Sequence, residues 1–286
     1  MDCRVKCVAA EQRSKVPPYP YLYIYYVSGR VTGICEGLFS PSFIGNWQEG
    51  ETSFLFFTEP AEEQVAGFLA NQPHLALIDR FTMSYEDWHG GPILPLQAGR
   101  FRVMPPWAAE PAGPGDICVM LDPGVVFGAG NHPTTRHCLL ALEWLMGRES
   151  VATVLDLGTG TGLLAIAAAK LGAQKTLAVD NNFLAAATAL RNIRLNQLEK
   201  WVFSVSGSAE EFMDWPADLV VANIHFDIMR RLVETSGFKQ KKWFVLSGLM
   251  RTQAGRIKDR ITGYGALILD EWIEDGSWYT ICGKNH

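Results

Sequence analysis

No apolar run in this chain approaches the ~18 residues that would cross a bilayer, and the opening "MDCRVKCVAAEQRSK" has basic residues without the apolar core of a secretory signal. No Cys-x-x-Cys pair occurs: Cys3, Cys7, Cys35, Cys118, Cys138 and Cys282 are scattered. In a chain this long such spacing predicts neither a disulfide framework nor a metal site, and reduced thiols and a cytoplasmic setting are expected. Cations are scarce, with 25 Lys and Arg against 30 Asp and Glu and a net charge of −5. That balance excludes broad coating of nucleic acid, which needs clustered positive charge. It leaves room for a basic partner protein or a local basic groove. Internal repeats are lacking, as is the GxxxxGK[ST] loop of nucleotide triphosphatases.

What is there is ordinary globular material. A chain of 286 residues, 48% hydrophobic and 19% charged, suits one large or two ordinary domains. At that size roughly 75% of the unfolded surface can be buried without covalent staples.

The first part mixes aromatic strands with little helix. "YLYIYYVSG" (21–29), "ETSFLFFTEP" (51–60) and "HLALIDRFTMSY" (74–85) read as strands, and "AEEQVAGFLANQ" (61–72) places Val65, Phe68 and Leu69 on one helical face. Residues 1–95 are therefore expected to form a small α+β domain. The segment 96–115 overlaps "MPPWAAEPAGPGD" and reads as a linker.

From Val151 apolar strands alternate with helices: 151–157, 175–180, 201–205, 217–224 and 242–248 as strands, 163–171, 183–196 and about 227–236 as helices. Near-continuous apolar strands indicate a parallel sheet covered on both faces. "GALILDEWIEDGSWYTICGK" closes the chain as a hairpin around "EDGS". Residues 116–286 thus predict an α/β, Rossmann-like domain ending in an antiparallel hairpin.

"VLDLGTGTGLLAIAAAKLGA" (154–173) is a strand, a Gly-x-Gly-x-Gly turn and a helix. Gly158, Gly160 and Gly162 let the backbone approach a ligand closely, with the helix N-terminus supplying free N–H donors, although a plain structural corner has the same look. Asp180 ends the next strand, where an acid accepts ribose hydroxyls; capping the following helix is the plainer role. Asp156 is expected to anchor the turn. The third glycine comes one residue too early for a dinucleotide fingerprint. The turn, the acid and the terminal hairpin together suggest S-adenosylmethionine. Asn223 ends the strand "ADLVVANI" and is expected at the cleft, positioning an amine or the methionine end of the cofactor, with helix capping as its alternative. His225 is either an acid–base group or an ordinary surface histidine.

These segments resemble a known family. "VMLDPGVVFGAGNHPTTRHCLLALEWL", "VLDLGTGTGLLAIAAAKLGA" and "DLVVANI", flanked by "YEDWHGGPILPLQAGRFRVMPPW" and "LSGLMRTQAGRI…EWIEDGSWYTICGK", resemble the PrmA-type methyltransferases that act on ribosomal protein L11. The resemblance covers roughly 85–286, and its FGxGxHPTT block is its most specific element. It implies a seven-stranded class I methyltransferase domain, an N-terminal substrate-recognition domain and S-adenosylmethionine as donor. The acceptor is implied to be an amine of a protein, a lysine side chain or N-terminus, with neither nucleic acid nor membrane as partner. Cofactor contacts fall on Thr135, Gly158, Gly160, Gly162, Asp180, Asn181, Asn223 and, on the adenine side, Ser208, where an acid is common. Phe127-Gly128-Ala129-Gly130 becomes a flexible flap over the methionine end. Pro133 suits the first turn of the next helix, whose Cys138, Leu139, Leu142, Leu145 and Met146 face the core. The plain alternative is a loop with Asn131 as helix cap. Asn223, neighbouring carbonyls and His132 are the candidates for positioning the amine, and no general base stands out. Another protein lysine or a small amine as acceptor, or a non-catalytic cofactor-binding protein, remain the alternative functions.

Overall fold

The computed structural model describes residues 16–32 and 41–286. They fall into two units, one made of described residues up to Leu94 with Asn182–Leu184, the other of Pro95–Asn181 and Ala185–His286.

The first unit contains β1 (Tyr21–Ser28), β2 (Phe43–Glu49), β3 (Thr52–Phe57), α1 (Glu62–Ala70), β4 (Ala76–Ser84) and α2 (Tyr85–Trp88). Its sheet runs β2-β3-β1-β4, antiparallel throughout. Tyr25 and Val27 of β1 join Leu55 and Phe57 of β3 and Val65 of α1 in one core, as the two-residue strand period requires. β2 was not expected from sequence, because Gly45, Asn46 and Gln48 break its apolar pattern. Its neighbour β3 supplies the ladder, while Asn46 Nδ2 and Gln48 Nε2 donate to the Val31 carbonyl at 2.9 and 2.5 Å.

The second unit begins with β5 (Leu96–Ala98), β6 (Phe101–Met104), a 3-10 turn at Pro106–Ala108 and β7 (Ile117–Met120). Two strands of this small sheet, β5 and β6, lie within the stretch 96–115 expected as a linker. The reason is burial: Phe101, Val103 and Met104 are inside, and the longest part of the stretch without helix or strand is 109–115. Cys118 on β7 is disulfide-bonded, unlike the reduced thiol expected of it. Cys138 and Cys282 are free and buried, and burial pushes both thiols up to about 12.

Then follow α3 (Pro133–Met146), β8 (Thr153–Leu157), α4 (Leu163–Lys170), β9 (Lys175–Asp180), α5 (Phe183–Leu195), β10 (Val202–Ser206) and α6 (Ala209–Phe212). β11 (Leu219–Asn223), α7 (Phe226–Leu232), α8 (Ser236–Lys239), β12 (Trp243–Met250), α9 (Arg251–Gly263), β13 (Leu267–Glu274) and β14 (Trp278–Lys284) complete it. The large sheet has seven strands in the order β10-β9-β8-β11-β12-β14-β13. β8 to β12 are parallel; β14 pairs antiparallel with both β12 and β13. The order reverses between β8 and β11, and at such a switch point the strand ends leave a crevice. One apolar core joins β8 and its neighbours to α3 and α4, a second joins the other sheet face to α7, α8 and α9. Helix α9 escaped the sequence reading because its buried stripe is only Ala254, Ile257 and Ile261 amid charge.

Two asparagines of α5 hold the segment leading into the glycine-rich loop. Asn192 donates through Nδ2 to the carbonyls of Asp122 (2.9 Å) and Thr161 (2.8 Å) and accepts from the Asp122 N–H at 2.9 Å. Asn196, one turn on, exchanges the same kind of bonds with Met120 at 2.6 and 3.1 Å. Both are buried and replace a missing strand partner. Replacing Asn192 by Ala strands a buried N–H and two carbonyls, at about 1–3 kcal/mol for each group left unpaired. Urea unfolding is expected to show a loss of about 3 kcal/mol, and an unchanged midpoint would show that water replaces the amide.

Candidate active site

The turn after β8 is built on backbone conformation. Gly158, Gly160 and Gly162 have φ of 69°, 54° and 83°, a region that other residues enter only with strain. The N–H groups of Gly158 and Thr159 both donate to the Val179 carbonyl, at 2.8 and 3.0 Å, joining the turn to β9. Gly160 N–H donates to Asp180 Oδ2 at 2.9 Å, so the acid at the end of β9 reaches back to the turn.

The glycines also answer to the chain itself. A Cβ on Gly158 would collide with the Ile224 side chain, one on Gly160 would lie 2.5 Å from the Phe127 carbonyl oxygen, and one on Gly162 3.0 Å from Ala189 Cβ. Sequence reasoning left these positions to a ligand or to a structural corner; protein neighbours by themselves demand glycine there.

Asp156, on β8 beneath the turn, is 1% exposed. Its Oδ2 accepts from Thr159 Oγ1 at 2.6 Å and from Ala165 N–H at 3.1 Å, while Oδ1 has no partner. Burial pushes its pKa up to about 7; the two hydrogen bonds oppose that shift and the nearby Asp180 charge adds to it. Asp156 thus anchors the turn, as expected.

The loop 121–135 lies against the turn. Thr161 Oγ1 donates to the Gly128 carbonyl at 2.7 Å, so the stretch expected as a flap is latched to the glycine turn, with Phe127 exposed. Helix α3 then starts with Pro133 in its first turn, and its cap is His132, not Asn131. His132 Nδ1 lies 2.8 Å from Thr134 Oγ1, and its ring packs edge-on to Trp278 at 4.9 Å and tilted to Phe127 at 5.8 Å. Burial, with the Arg136 and His137 charges, lowers the His132 pKa and favours the neutral ring.

Thr134 and Thr135 are buried at the start of α3. Asn223, at the end of β11, donates through Nδ2 to Thr134 Oγ1 at 3.2 Å and points the same group at Thr135 Oγ1 at 3.5 Å. Asn223 therefore does not cap α7; that position belongs to His225, which is exposed and makes no side-chain capping bond. Ser247 on β12 completes the junction, 2.5 Å from Thr280 Oγ1 and donating to the Thr134 carbonyl at 3.3 Å.

With its Nδ2 committed to the threonines, Asn223 has Oδ1 left as an acceptor. Beside it stands Gly248, with φ of 81°; a Cβ there would lie 2.9 Å from the Ile224 carbonyl oxygen and 3.0 Å from Asn223 Oδ1. Only a glycine therefore lets β12 pass this close to the Asn223 and Ile224 oxygens. Sequence reasoning missed Gly248. The "LSGLM" stretch carried the signal, a glycine inside an apolar strand.

The structure brings Gly158, Gly160, Asp180, Phe127 and Gly128 together around the turn, and Asn223 together with Thr135 at the start of α3. Asn181 is exposed immediately after Asp180. Ser208 lies near Asp180 through the Gly207 N–H, which donates to the Asp180 carbonyl at 2.9 Å. The Ser208 hydroxyl caps α6, accepting from Glu211 N–H at 3.3 Å. Among the described residues no group of three or more His, Cys, Asp or Glu could hold a metal ion, and no helix is long and apolar enough to cross a membrane.

Comparison with known proteins decides the family. The model for "Ribosomal protein L11 methyltransferase (PrmA)" matches residues 68–286. The chain belongs to this family. It is 38% identical over 193 residues to a ribosomal protein L11 methyltransferase of Gloeobacter violaceus, a match covering 65% of this chain and 57% of that protein. It is 36% identical over 231 residues to the same-named protein of Geotalea daltonii, covering 76% of this chain and 71% of that one. The crystal structure of a ribosomal protein L11 methylase from Lactobacillus delbrueckii subsp. bulgaricus superposes with a TM-score of 0.58 at 28% identity, covering 68% of this chain and all of that one.

Asp156 makes the stability of the fold depend on pH. With its pKa raised from 3.8 to about 7, the folded state holds a proton that the unfolded state has released, so stability falls as pH rises through that window and levels off above it. Asp156→Asn keeps an acceptor for Thr159 and cannot ionise. Urea unfolding between pH 4 and pH 8 should show the wild type losing stability relative to this variant; parallel curves would place the proton elsewhere.

Proposed function

We propose that this chain transfers a methyl group from S-adenosylmethionine to an amine nitrogen of a protein, a lysine side chain or N-terminus, and that ribosomal protein L11 is that protein. The observation that carries the reading is Asn223, held by the Thr134 and Thr135 hydroxyls at the carboxyl end of β11, where the strand order switches beside the glycine turn. Family membership supports the same reaction. When bound, S-adenosylmethionine supplies an electrophilic methyl carbon carried on a sulfonium.

The residues present fit such a guest. Asp180 holds its carboxylate at the end of β9, one oxygen fixed by Gly160 N–H and the group placed to accept from ribose hydroxyls. Gly158, Gly160 and Gly162 keep the turn backbone free of side chains, with Asn181 and Ser208 on the adenine side. Thr135, Phe127 and Gly128 close the methionine end.

The chain's part in the transfer is placement. In-line displacement needs nucleophile and methyl carbon ~3–3.5 Å apart with the lone pair aligned. Asn223 Oδ1 and the Ile224 carbonyl accept two amine N–H bonds and so aim the lone pair away from themselves. A lysine amine must be neutral to react; its ordinary pKa is ~10.4, and desolvation in the crevice favours the neutral form. The threonines of α3 fix the Asn223 rotamer, while His132, held neutral, caps the helix that carries them. Residues 1–95 serve as the substrate-recognition domain.

A second reading keeps the donor and changes the acceptor to another protein lysine or a small amine, favoured by residues 1–67 lying outside the family match. Incubating the protein with labelled donor and ribosomal proteins, read by mass spectrometry, separates the two: label on L11 supports the first, label elsewhere the second. Asp180→Ala is expected to weaken S-adenosylmethionine binding by about 100-fold in calorimetry, since hydrogen bonds to a charged group contribute ~1.5–3 kcal/mol each. Asn223→Ala is expected to lower kcat by about 100-fold, as misplacement of a reacting group does, while cofactor affinity stays within a few-fold. Equal losses in both quantities would remove the positioning role.

A further inference from the structure

The two helices that begin directly after the site residues face each other across a cationic pocket. α7 starts three residues past Asn223 and α9 three residues past Gly248. Between them lies a cavity of about 460 Å³ lined by Phe226, Arg230, Arg256, Ile257, Asp259 and Arg260. Arg230 and Arg256 lie about 6–8 Å along their helices from these starts, at 1.5 Å per residue. Within these 20 helical residues six are Lys or Arg and two are Asp, in a chain whose net charge is −5.

The neighbouring arginines already have acids. Arg231 pairs with Glu210 at 2.7 Å, and Arg260 pairs with Glu234. Arg230 and Arg256 are exposed and, among the described residues, neither makes an ion pair or hydrogen bond. Phe226 and Ile257 give the cavity apolar walls beside these two planar, five-donor groups. Guanidinium forks match carboxylate and phosphate oxygens. The amount of charge chooses between them. Stable binding along a nucleic acid takes several phosphate contacts, and two unpaired arginines with Asp259 in the same cavity fall short of that. An acidic protein segment carries the smaller charge that fits.

We propose that the Arg230–Arg256 pocket docks acidic side chains of the methyl-accepting protein, next to the segment that presents the amine. The proposal rests on the methyl-transfer reading above. It gives that site a register device: the acidic surface of the chain at large attracts a basic protein, and the two guanidiniums accept it only where it offers carboxylates.

The double variant Arg230→Gln, Arg256→Gln tests it, with purified ribosomal protein L11 as probe. Both side chains are exposed, so folding is expected to persist, and thermal unfolding checks that. KM for L11 should rise about 10-fold while kcat and S-adenosylmethionine affinity stay within twofold; the Arg→Lys pair should recover part of the loss. Raising sodium chloride should raise the wild-type KM and leave that of the double variant nearly flat. KM within twofold of wild type would overturn the proposal. Calorimetric binding of L11 separates it from the reading beneath: binding that depends on the arginines in a chain that transfers no methyl would sink the reaction and keep the dock. No binding of L11 to the wild type would sink the dock. A short RNA bound by the wild type and lost in the double variant would overturn the carboxylate assignment in favour of phosphate.

Discussion

At Gly158, Gly160 and Gly162 the backbone turns through positive φ, and three separate parts of the chain come in where side chains would otherwise stand. Ile224, just past β11, fills the first place, the Phe127 carbonyl of the glycine-rich loop the second, and Ala189 of α5 the third. The same constraint therefore sets the end of β11, the course of the loop and the distance of α5 from the sheet. Everything assigned to the site follows from it. Asn223 stands next to Ile224, Thr134 and Thr135 end the loop, and Asn192 ties the loop's beginning to the turn's Thr161 carbonyl. A side chain at any of the three positions would push these pieces apart together.

Two carboxylates lie close to this turn in opposite circumstances. Asp180 is partly exposed at the crevice and takes the Gly160 N–H; Asp156 is sealed beneath, with one oxygen unpaired. Burial of an ionised carboxylate costs several kcal/mol unless it is paired, and Asp156 meets that cost by holding its proton up to about pH 7. The negative charge at the crevice thus resides on Asp180. That division suits a guest carrying a sulfonium and ribose hydroxyls, since one charged acceptor is offered at the surface and the second acid serves the scaffold.

Much of this was legible in the chain. The parallel strands announced themselves because burial on both faces makes them continuously apolar, and the turn because Gly-x-Gly-x-Gly followed one of them. Asp180 and Asn223 could be placed because ligands gather at strand ends. What stayed hidden had different physics. Strand β2 is polar, with Gly45, Asn46 and Gln48, and is recruited by the edge of β3. Strands β5 and β6 are short pieces beside a proline-rich stretch, and α9 buries three small contacts under a charged surface. Asn192 and Asn196 look like solvent-facing helix residues until the end of β7 and the residues after it lie beside them. Gly248 is one glycine in an apolar strand, and its meaning appears only when Asn223 Oδ1 and the Ile224 carbonyl are seen beside it.

The loop 127–130 shows how firmly such a site has to be held. Sequence suggested a flexible flap; the structure bonds it to the turn, Thr161 Oγ1 donating to the Gly128 carbonyl, with Phe127 exposed. One intramolecular hydrogen bond contributes only about 0.5–1.5 kcal/mol net, which corresponds to a population ratio of roughly 2 to 13 between latched and released forms. Gly128 and Gly130, with φ of 108° and 99°, supply the backbone freedom on either side. The loop's hinge at α3 is held far more strongly by Asn223, Ser247 and the two buried threonines. Under the proposed reading, firmly held acceptors beneath a weakly latched loop would let a guest enter without disturbing the atoms that aim the amine.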